Sequence, residues 1–173
     1  LGLSCTLFFG ALSCCAAKKH AAPEPLDPKI ELLVVQGIND IQGLELDKAE
    51  AAFDKVLELY PGQPYGYFGR ALASYSRLIY QEEQSDPALE EQFFARMEEA
   101  ITKGLDWIDK HPNDPNAHLC VGSMYGVRAV LYIHGHRWLK AYFSGKKALK
   151  LVNKAIEIDP EFYDAYIGPG LYE

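Results

Sequence analysis

Few residues in this 173-residue chain have the type and spacing that chemistry requires. His134 and His136, separated by one glycine, could offer two imidazole ligands to a metal ion, but no Cys or carboxylate lies at a suitable spacing nearby. Polar histidines in a turn are the simpler interpretation, because Gly135 favours a turn between two helices. Metal or small-ligand binding through this pair is therefore the weakest of the functional hypotheses.

The carboxylates and the thiol of the chain body give no clearer active site. Two pairs of adjacent glutamates, at 82–83 and 90–91, resemble a catalytic cluster only in number and are typical of the ends of long helices. Cys120 lies in an apolar helical pattern, which favours a buried, inert thiol over a nucleophile. No Gly-rich phosphate loop, nucleophile elbow or zinc-protease signature is present in the sequence. We therefore predict a protein that is not an enzyme, with no catalytic residue and no cofactor.

The charge of the chain restricts its partners. The formal net charge is −7, which argues against nucleic acid, because phosphate backbones are bound by an excess of Lys and Arg. Residues 1–114 carry 10 Lys and Arg against 19 Asp and Glu, whereas residues 115–173 carry 7 against 5. Lys140, Lys147 and Lys154 recur every seven residues in this basic part, with Arg137 and Lys150 beside them. The pattern fits a basic strip facing anionic lipid or an acidic partner, although the solvated face of an amphipathic helix is the favoured interpretation.

The first 17 residues have the features of an export leader. Residues 1–12 are uncharged and mostly apolar, with the length of a signal-peptide core and too short to span a bilayer. Small residues and cysteines follow, and the segment around Cys14 and Cys15 resembles a bacterial lipobox, in which a cysteine becomes lipidated. Ordinary cleavage after Ala17 or Ala22 is the alternative. The sequence predicts an exported protein, periplasmic or anchored to the membrane as a lipoprotein.

Helical patterns occupy the chain after a linker at residues 18–27. Asp27-Pro28 predicts a helix start, and Gly43 predicts its end. Asp47 and Glu50 suggest a capping box for the second helix, which Pro61-Gly62 would end. Asp86-Pro87 predicts the start of a long helix with one apolar face, and a second unbroken apolar stripe is expected from Trp138 and Tyr142 to Ile156.

An internal repeat organises these helices. Ala, an apolar or small residue four positions later, another apolar residue three later and Pro five later recur three times, at Ala49-Phe53-Val56-Pro61, Ala100-Gly104-Trp107-Pro112 and Ala148-Val152-Ala155-Pro160. The first helix of each unit places a small residue four positions after a larger one, at Gly37, Ala71, Gly122 and Gly170. A small residue there lets the paired helix approach closely, and the proline ends the second helix.

This frame resembles the tetratricopeptide repeat family. The segments "LDKAEAAFDKVLELYPGQPYGYFGRA" and "KALKLVNKAIEIDPEFYDAYIGPGLY" carry the resemblance, which covers residues 28–173. The prolines lie 51 and 48 residues apart, against about 34 in the family, so the helices are expected to be longer. The resemblance implies an all-α, right-handed solenoid of helical hairpins, with units at about 30–63, 64–114 and 115–162 and a fourth, truncated unit at 163–173.

The resemblance also implies a binding groove lined by the first helix of each pair. Carried over position by position, the groove residues are Glu31, Val34, Ile38, Tyr65, Phe68, Leu72, Tyr75, Asn116, Leu119 and Ser123. Their side chains would contact an extended peptide or a partner helix, although the aromatic ones could equally pack under the lengthened second helices.

The resulting functional hypothesis is a non-catalytic protein–protein interaction scaffold or assembly factor of the bacterial cell envelope. The main alternative is a helical accessory domain of a larger envelope enzyme or transporter component whose working part lies beyond Glu173. The start of a fourth unit without its second helix favours truncation.

Overall fold

The computed structural model describes residues 27–80 and 87–166, and within these ranges the chain is all-helical with no strand. The six α-helices are α1 Pro28–Gln42, α2 Leu46–Leu59, α3 Tyr65–Tyr80, α4 Pro87–Lys110, α5 Pro115–His134 and α6 Trp138–Ile158, followed by the 3-10 turn Tyr163–Tyr166. The leader, most of the linker and the greater part of the predicted fourth unit, including Gly170, lie outside the described residues. The all-α prediction is confirmed for the described part.

Asp-Pro pairs begin two of the helices. The Asp27 side chain accepts a hydrogen bond from the Lys29 backbone N–H at 2.8 Å, and Pro28 occupies the first helical position. Asp114 and Pro115 repeat the arrangement at α5. The carboxylate satisfies a backbone donor that has no partner within the helix, and proline lacks such a donor, so the pair fits a helix start. The α1 start and its end at Gly43 are as predicted.

The predicted capping box of α2 is wrong. The helix begins at Leu46 with Glu45 as its N-cap, and the Glu45 side chain makes no hydrogen bond to the first turn. Asp47 instead forms an ion pair with Arg77 of α3 at 2.7 Å, and Glu50 forms one with Arg96 of α4 at 2.6 Å. These carboxylates therefore join helices, a role that a local sequence pattern does not reveal.

Each helix packs against the next one along the chain, and the odd-numbered helices also touch, α1 against α3 and α3 against α5. One apolar core runs through all six helices, from Ile30 in α1 through Phe93 and Met97 in α4 to Val121 in α5 and Ala148 in α6. Burial of this apolar surface is the main stabilising contribution, at roughly 25 cal/mol per Å². This main core is flanked by two smaller apolar clusters, one around Phe53 and one around Ala155.

Small residues bring the paired helices close together. A Cβ added to Gly37 of α1 would lie 2.5 Å from the Phe53 ring of α2, and one added to Gly122 of α5 would lie 2.8 Å from Val152 of α6. Both glycines contact the second position of the repeat frame, as the spacing predicts. In the middle unit the second position of the repeat frame is Gly104 of α4, and a Cβ added to Gly104 would lie 2.7 Å from the Phe68 ring of α3. Here the small residue is on the second helix and the large one on the first.

One expectation for α6 is incorrect. The predicted buried stripe includes Trp138 and Tyr142, but both side chains are more than half exposed. Ala141, Ala148 and Val152 are buried against α5, as expected. Periodicity identifies an apolar face but does not show how much of its length a neighbouring helix covers.

Candidate functional site

The structure divides the ten predicted groove residues into three groups. The buried ones are Tyr65 and Phe68, the partly buried ones are Val34, Tyr75 and Leu119, and the exposed ones are Glu31, Ile38, Leu72, Asn116 and Ser123. The expectation of a surface position for Tyr65 and Phe68 is corrected, because α4 and α5 cover these two rings. Partner contact by the other residues stays a prediction.

Phe68 lies in the space that Gly104 leaves open. Its ring is 6.5 Å from the Tyr65 ring in an edge-on arrangement, and both side chains belong to the main core. Of the two interpretations open for these aromatics, packing under a second helix is the one that the structure supports.

Tyr65 is held by a polar junction between α3, α4 and α5. Its hydroxyl donates to Asp114 Oδ2 at 2.8 Å, and the Trp107 indole N–H donates to the same oxygen at 2.9 Å. Asp114 Oδ1 accepts from the Ala117 backbone N–H at 3.0 Å, so one carboxylate caps α5 and joins three helices. Burial raises the pKa of Tyr65, and the charge of Asp114 raises it further, so this phenol stays protonated. The junction therefore fixes α3, α4 and the start of α5 against one another.

The exposed groove residues form a regular row. Ile38, Leu72 and Ser123 each follow a small residue of the repeat frame by one position, on α1, α3 and α5. All three are exposed, although the residues immediately before them, Gly37, Ala71 and Gly122, are buried. Because α1 contacts α3 and α3 contacts α5, the row crosses three adjacent helices. We call Ile38, Leu72 and Ser123 the first-helix row.

Two arginines join helices at positions that no motif in the sequence indicates. Arg96 of α4 donates to Glu50 of α2 at 2.6 Å and to the Ser74 hydroxyl of α3, and its side chain is only 15% exposed. Arg128 of α5 donates to Glu98 of α4 and, at 3.2 Å, to Ser144 of α6. Each arginine therefore connects its own helix to two others. Their partners lie 16 to 46 residues away in the chain, so no short spacing identifies them.

The residues considered for metal binding and nucleophilic chemistry, His134, His136 and Cys120, do not form a common site in the described part of the chain. The exposed His134 ring nitrogen Nδ1 lies 2.9 Å from the Val130 carbonyl, and the His136 ring packs edge-on against Trp138 at 5.7 Å. No group of three or more His, Cys, Asp or Glu suited to a metal occurs among residues 27–80 and 87–166. Cys120 is partly buried, and burial, with a smaller contribution from Asp114, raises its pKa to about 12. The thiol is therefore protonated and unreactive at neutral pH.

No protein-family model matches the chain, and no curated protein is similar enough in sequence to count as a relative. Among the described helices, none is both long and apolar enough to cross a membrane. The lipidation candidates Cys14 and Cys15 lie outside the described residues, as does the whole predicted leader.

Proposed function

We propose that this chain is a protein–protein interaction scaffold or assembly factor of the bacterial cell envelope, without catalysis of its own. Its architecture in this proposal is a tetratricopeptide-like, right-handed solenoid of helical hairpins, α1 with α2, α3 with α4 and α5 with α6. The apolar run of residues 1–12, which resembles a signal-peptide core, and the lipobox-like cysteines Cys14 and Cys15 support the envelope location.

The observation that carries the proposal is the repeated contact between the two helices of a hairpin. Gly37 faces Phe53 and Gly122 faces Val152, and both pairs occupy the same positions of the repeat frame although 85 residues separate the two glycines. Contacts between successive first helices also agree with stacked hairpins. Stacking leaves one side of every first helix without a neighbour, and the first-helix row lies there.

The first-helix row suits recognition better than chemistry. It combines two partly exposed aliphatic side chains with a serine, and Glu31 and Asn116 lie exposed on the same helices. Such a mixture can bury an apolar side chain of a partner and hydrogen-bond to its backbone, as peptide-binding grooves do. The partner is a protein or peptide of unknown identity.

A matched pair of leucines allows this proposal to be tested. Leu72 on α3 and Leu105 on α4 are both 36% exposed, but only Leu72 belongs to the first-helix row. The experiment is affinity capture of the complete protein from a membrane-fraction lysate, with quantitative mass spectrometry, for the wild type, Leu72→Arg and Leu105→Arg.

A groove-dependent partner should be reduced at least tenfold by Leu72→Arg and unchanged by Leu105→Arg, because a buried cation without a counter-charge costs more than about 1.4 kcal/mol at an interface. Thermal melting of both variants checks that they are equally folded. Capture that is the same in all three proteins, or is lost equally in both variants, would contradict the proposal.

A further inference from the structure

The first turns of α6 carry the largest concentration of exposed aromatic surface in the described chain. Trp138, Leu139, Tyr142 and Phe143 are 61%, 70%, 59% and 56% exposed. Tyr142 and Phe143 pack edge-on with ring centroids 5.5 Å apart, so the surface is contiguous. Apolar patches of this kind on a soluble domain mark an interaction surface.

These side chains point away from the body of the protein. At 100° per residue, the four occupy an arc of about 140° on α6. Ala141, Ser144 and Ala148 occupy the opposite side and are buried, because this side of α6 packs against α5. The aromatic face is therefore an outward face of one helix and not one wall of a groove. We call Trp138, Leu139, Tyr142 and Phe143 the α6 aromatic face.

Basic residues surround this face, and acidic ones are absent from positions 115–156. Between Asp114 and Glu157 the sequence has seven Lys and Arg and no Asp or Glu, whereas the rest of the chain has 10 Lys and Arg against 24 Asp and Glu. Lys146 and Lys150 lie one and two turns further along the same side of α6, and both are exposed. Lys146 reaches over the Tyr142 ring at 5.6 Å. A chain with an overall charge of −7 thus places a long acid-free basic segment in the hairpin with the exposed aromatics.

We propose that the α6 aromatic face and the lysines that follow it bind the surface of an anionic lipid membrane. Trp and Tyr rings are favoured at the depth of the lipid headgroups, because one part of the ring system is apolar and another forms hydrogen bonds. Lysines extend their ammonium groups to anionic headgroups while their methylene stems cover apolar surface. A helix that lies in the interface with aromatic and basic residues combines both contributions. This contact is separate from the first-helix row, so it can hold whether or not the scaffold proposal does.

The test uses the complete protein with vesicles of phosphatidylcholine alone and vesicles containing about 30% phosphatidylglycerol, a content that gives the surface a negative potential. Because the apolar leader could itself bind lipid, the readout is local: the emission of Trp138, identified by its loss in Trp138→Phe. Trp107, the other tryptophan, is partly buried and hydrogen-bonded to Asp114, and serves as the unchanged background.

We expect a blue shift of Trp138 emission with the anionic vesicles only, and the shift should weaken as salt is added. Lys146→Gln/Lys150→Gln should weaken the vesicle affinity about 25-fold, at about fivefold for each lysine. The control Lys48→Gln/Lys55→Gln on α2 changes the net charge equally and should leave the affinity unchanged.

Tyr142→Ser/Phe143→Ser should weaken the affinity by at least about tenfold, because two exposed rings no longer enter the interface. Leu32→Ser/Val35→Ser removes exposed apolar surface from α1 and is the matched control. All four residues in these two variants are nearly half exposed or more, so unfolding is not expected, and circular dichroism verifies this.

Three results would overturn the proposal. One is an unshifted Trp138 with anionic vesicles, and another is an equal shift with phosphatidylcholine alone. The third is a protein that sediments as an oligomer and in which Trp138 is shielded from quenchers in the absence of lipid. In that case a second copy or another protein surface would cover the α6 aromatic face.

Discussion

Phe53 provides a sharp test of how the first three helices pack, through the substitution Gly69→Ala. The Phe53 ring lies between Gly37 of α1 and Gly69 of α3, and a Cβ added at Gly69 would overlap three of its ring atoms. The ring has little room to move, because Phe53 is fully buried and the backbone of α1 at Gly37 lies against the ring tip, where an added Cβ would be 2.5 Å from Cζ.

The magnitude follows from two opposing effects. Replacing Gly by Ala inside a helix stabilises it by about 1 kcal/mol, whereas overpacking of this severity costs about 3 kcal/mol. Gly69→Ala should therefore lower the free energy of unfolding by about 2 kcal/mol and the melting temperature by about 4–8 °C. Gly145→Ala in α6 is the control, because no atom lies within 4 Å of its added Cβ, and it should gain up to about 1 kcal/mol.

Urea and thermal unfolding followed by circular dichroism measure both variants. Phe53→Leu in the Gly69→Ala background supplies a second check, since the smaller side chain should recover about 1 kcal/mol relative to the sum of the single effects. If Gly69→Ala melted at or above the temperature of Gly145→Ala, Phe53 would not lie against α3, and the packing described for the first three helices would be wrong.

Three further results are expected. Asp114→Ala should lower the free energy of unfolding by about 2–4 kcal/mol, because it removes the α5 cap and leaves two part-buried donors without an acceptor; denaturant titration measures this. Arg96→Met should lower the free energy of unfolding by about 1–3 kcal/mol, because it breaks the ion pair with Glu50. Lys154→Met, at an exposed ion pair, is the control and should change the free energy of unfolding by less than about 0.5 kcal/mol. Melting curves that ranked the two variants the other way would contradict the helix-joining role of Arg96. Native Cys120 should react with iodoacetamide at pH 8 on the order of 1,000-fold more slowly than after unfolding, because its pKa of about 12 leaves little thiolate; peptide-level mass spectrometry gives the rate. The raised pKa also makes the free energy of unfolding fall as the pH rises from about 9 towards 12, because the unfolded thiol then loses its proton and the native one keeps it.

Helix positions were accessible from the sequence because their determinants are local. The Asp27-Pro28 start and the Gly43 end act within a few residues of the chain, and both are found as predicted. The apolar periodicity of α4 gives the expected helix with Phe93, Met97 and Ile101 buried, although Leu105, four positions after Ile101, is exposed. The close pairs Gly37–Phe53 and Gly122–Val152 also followed from spacing, because a repeat frame converts distant positions into equivalent ones.

The rest depended on contacts between distant segments. Asp47 and Glu50 match a capping box, but pairing with arginines of α3 and α4 takes precedence. The register of Tyr65 predicts a place on the groove surface, yet Asp114 lies 49 residues later and brings α5 over it. Trp138 shows the opposite case, a residue that was expected to be buried and is exposed, because periodicity does not distinguish a covered apolar face from an open one.

Partner binding along the first helices is tested most directly by site-specific photocrosslinking. A photoreactive amino acid is placed singly at Leu72, at Ser123 and at the control position Leu105 in the complete protein, and crosslinks are formed in intact cells. We expect one shared crosslinked partner from Leu72 and Ser123 and none from Leu105. Crosslinks of equal yield at Leu105, or none from either position of the first-helix row, would show that partners do not bind there.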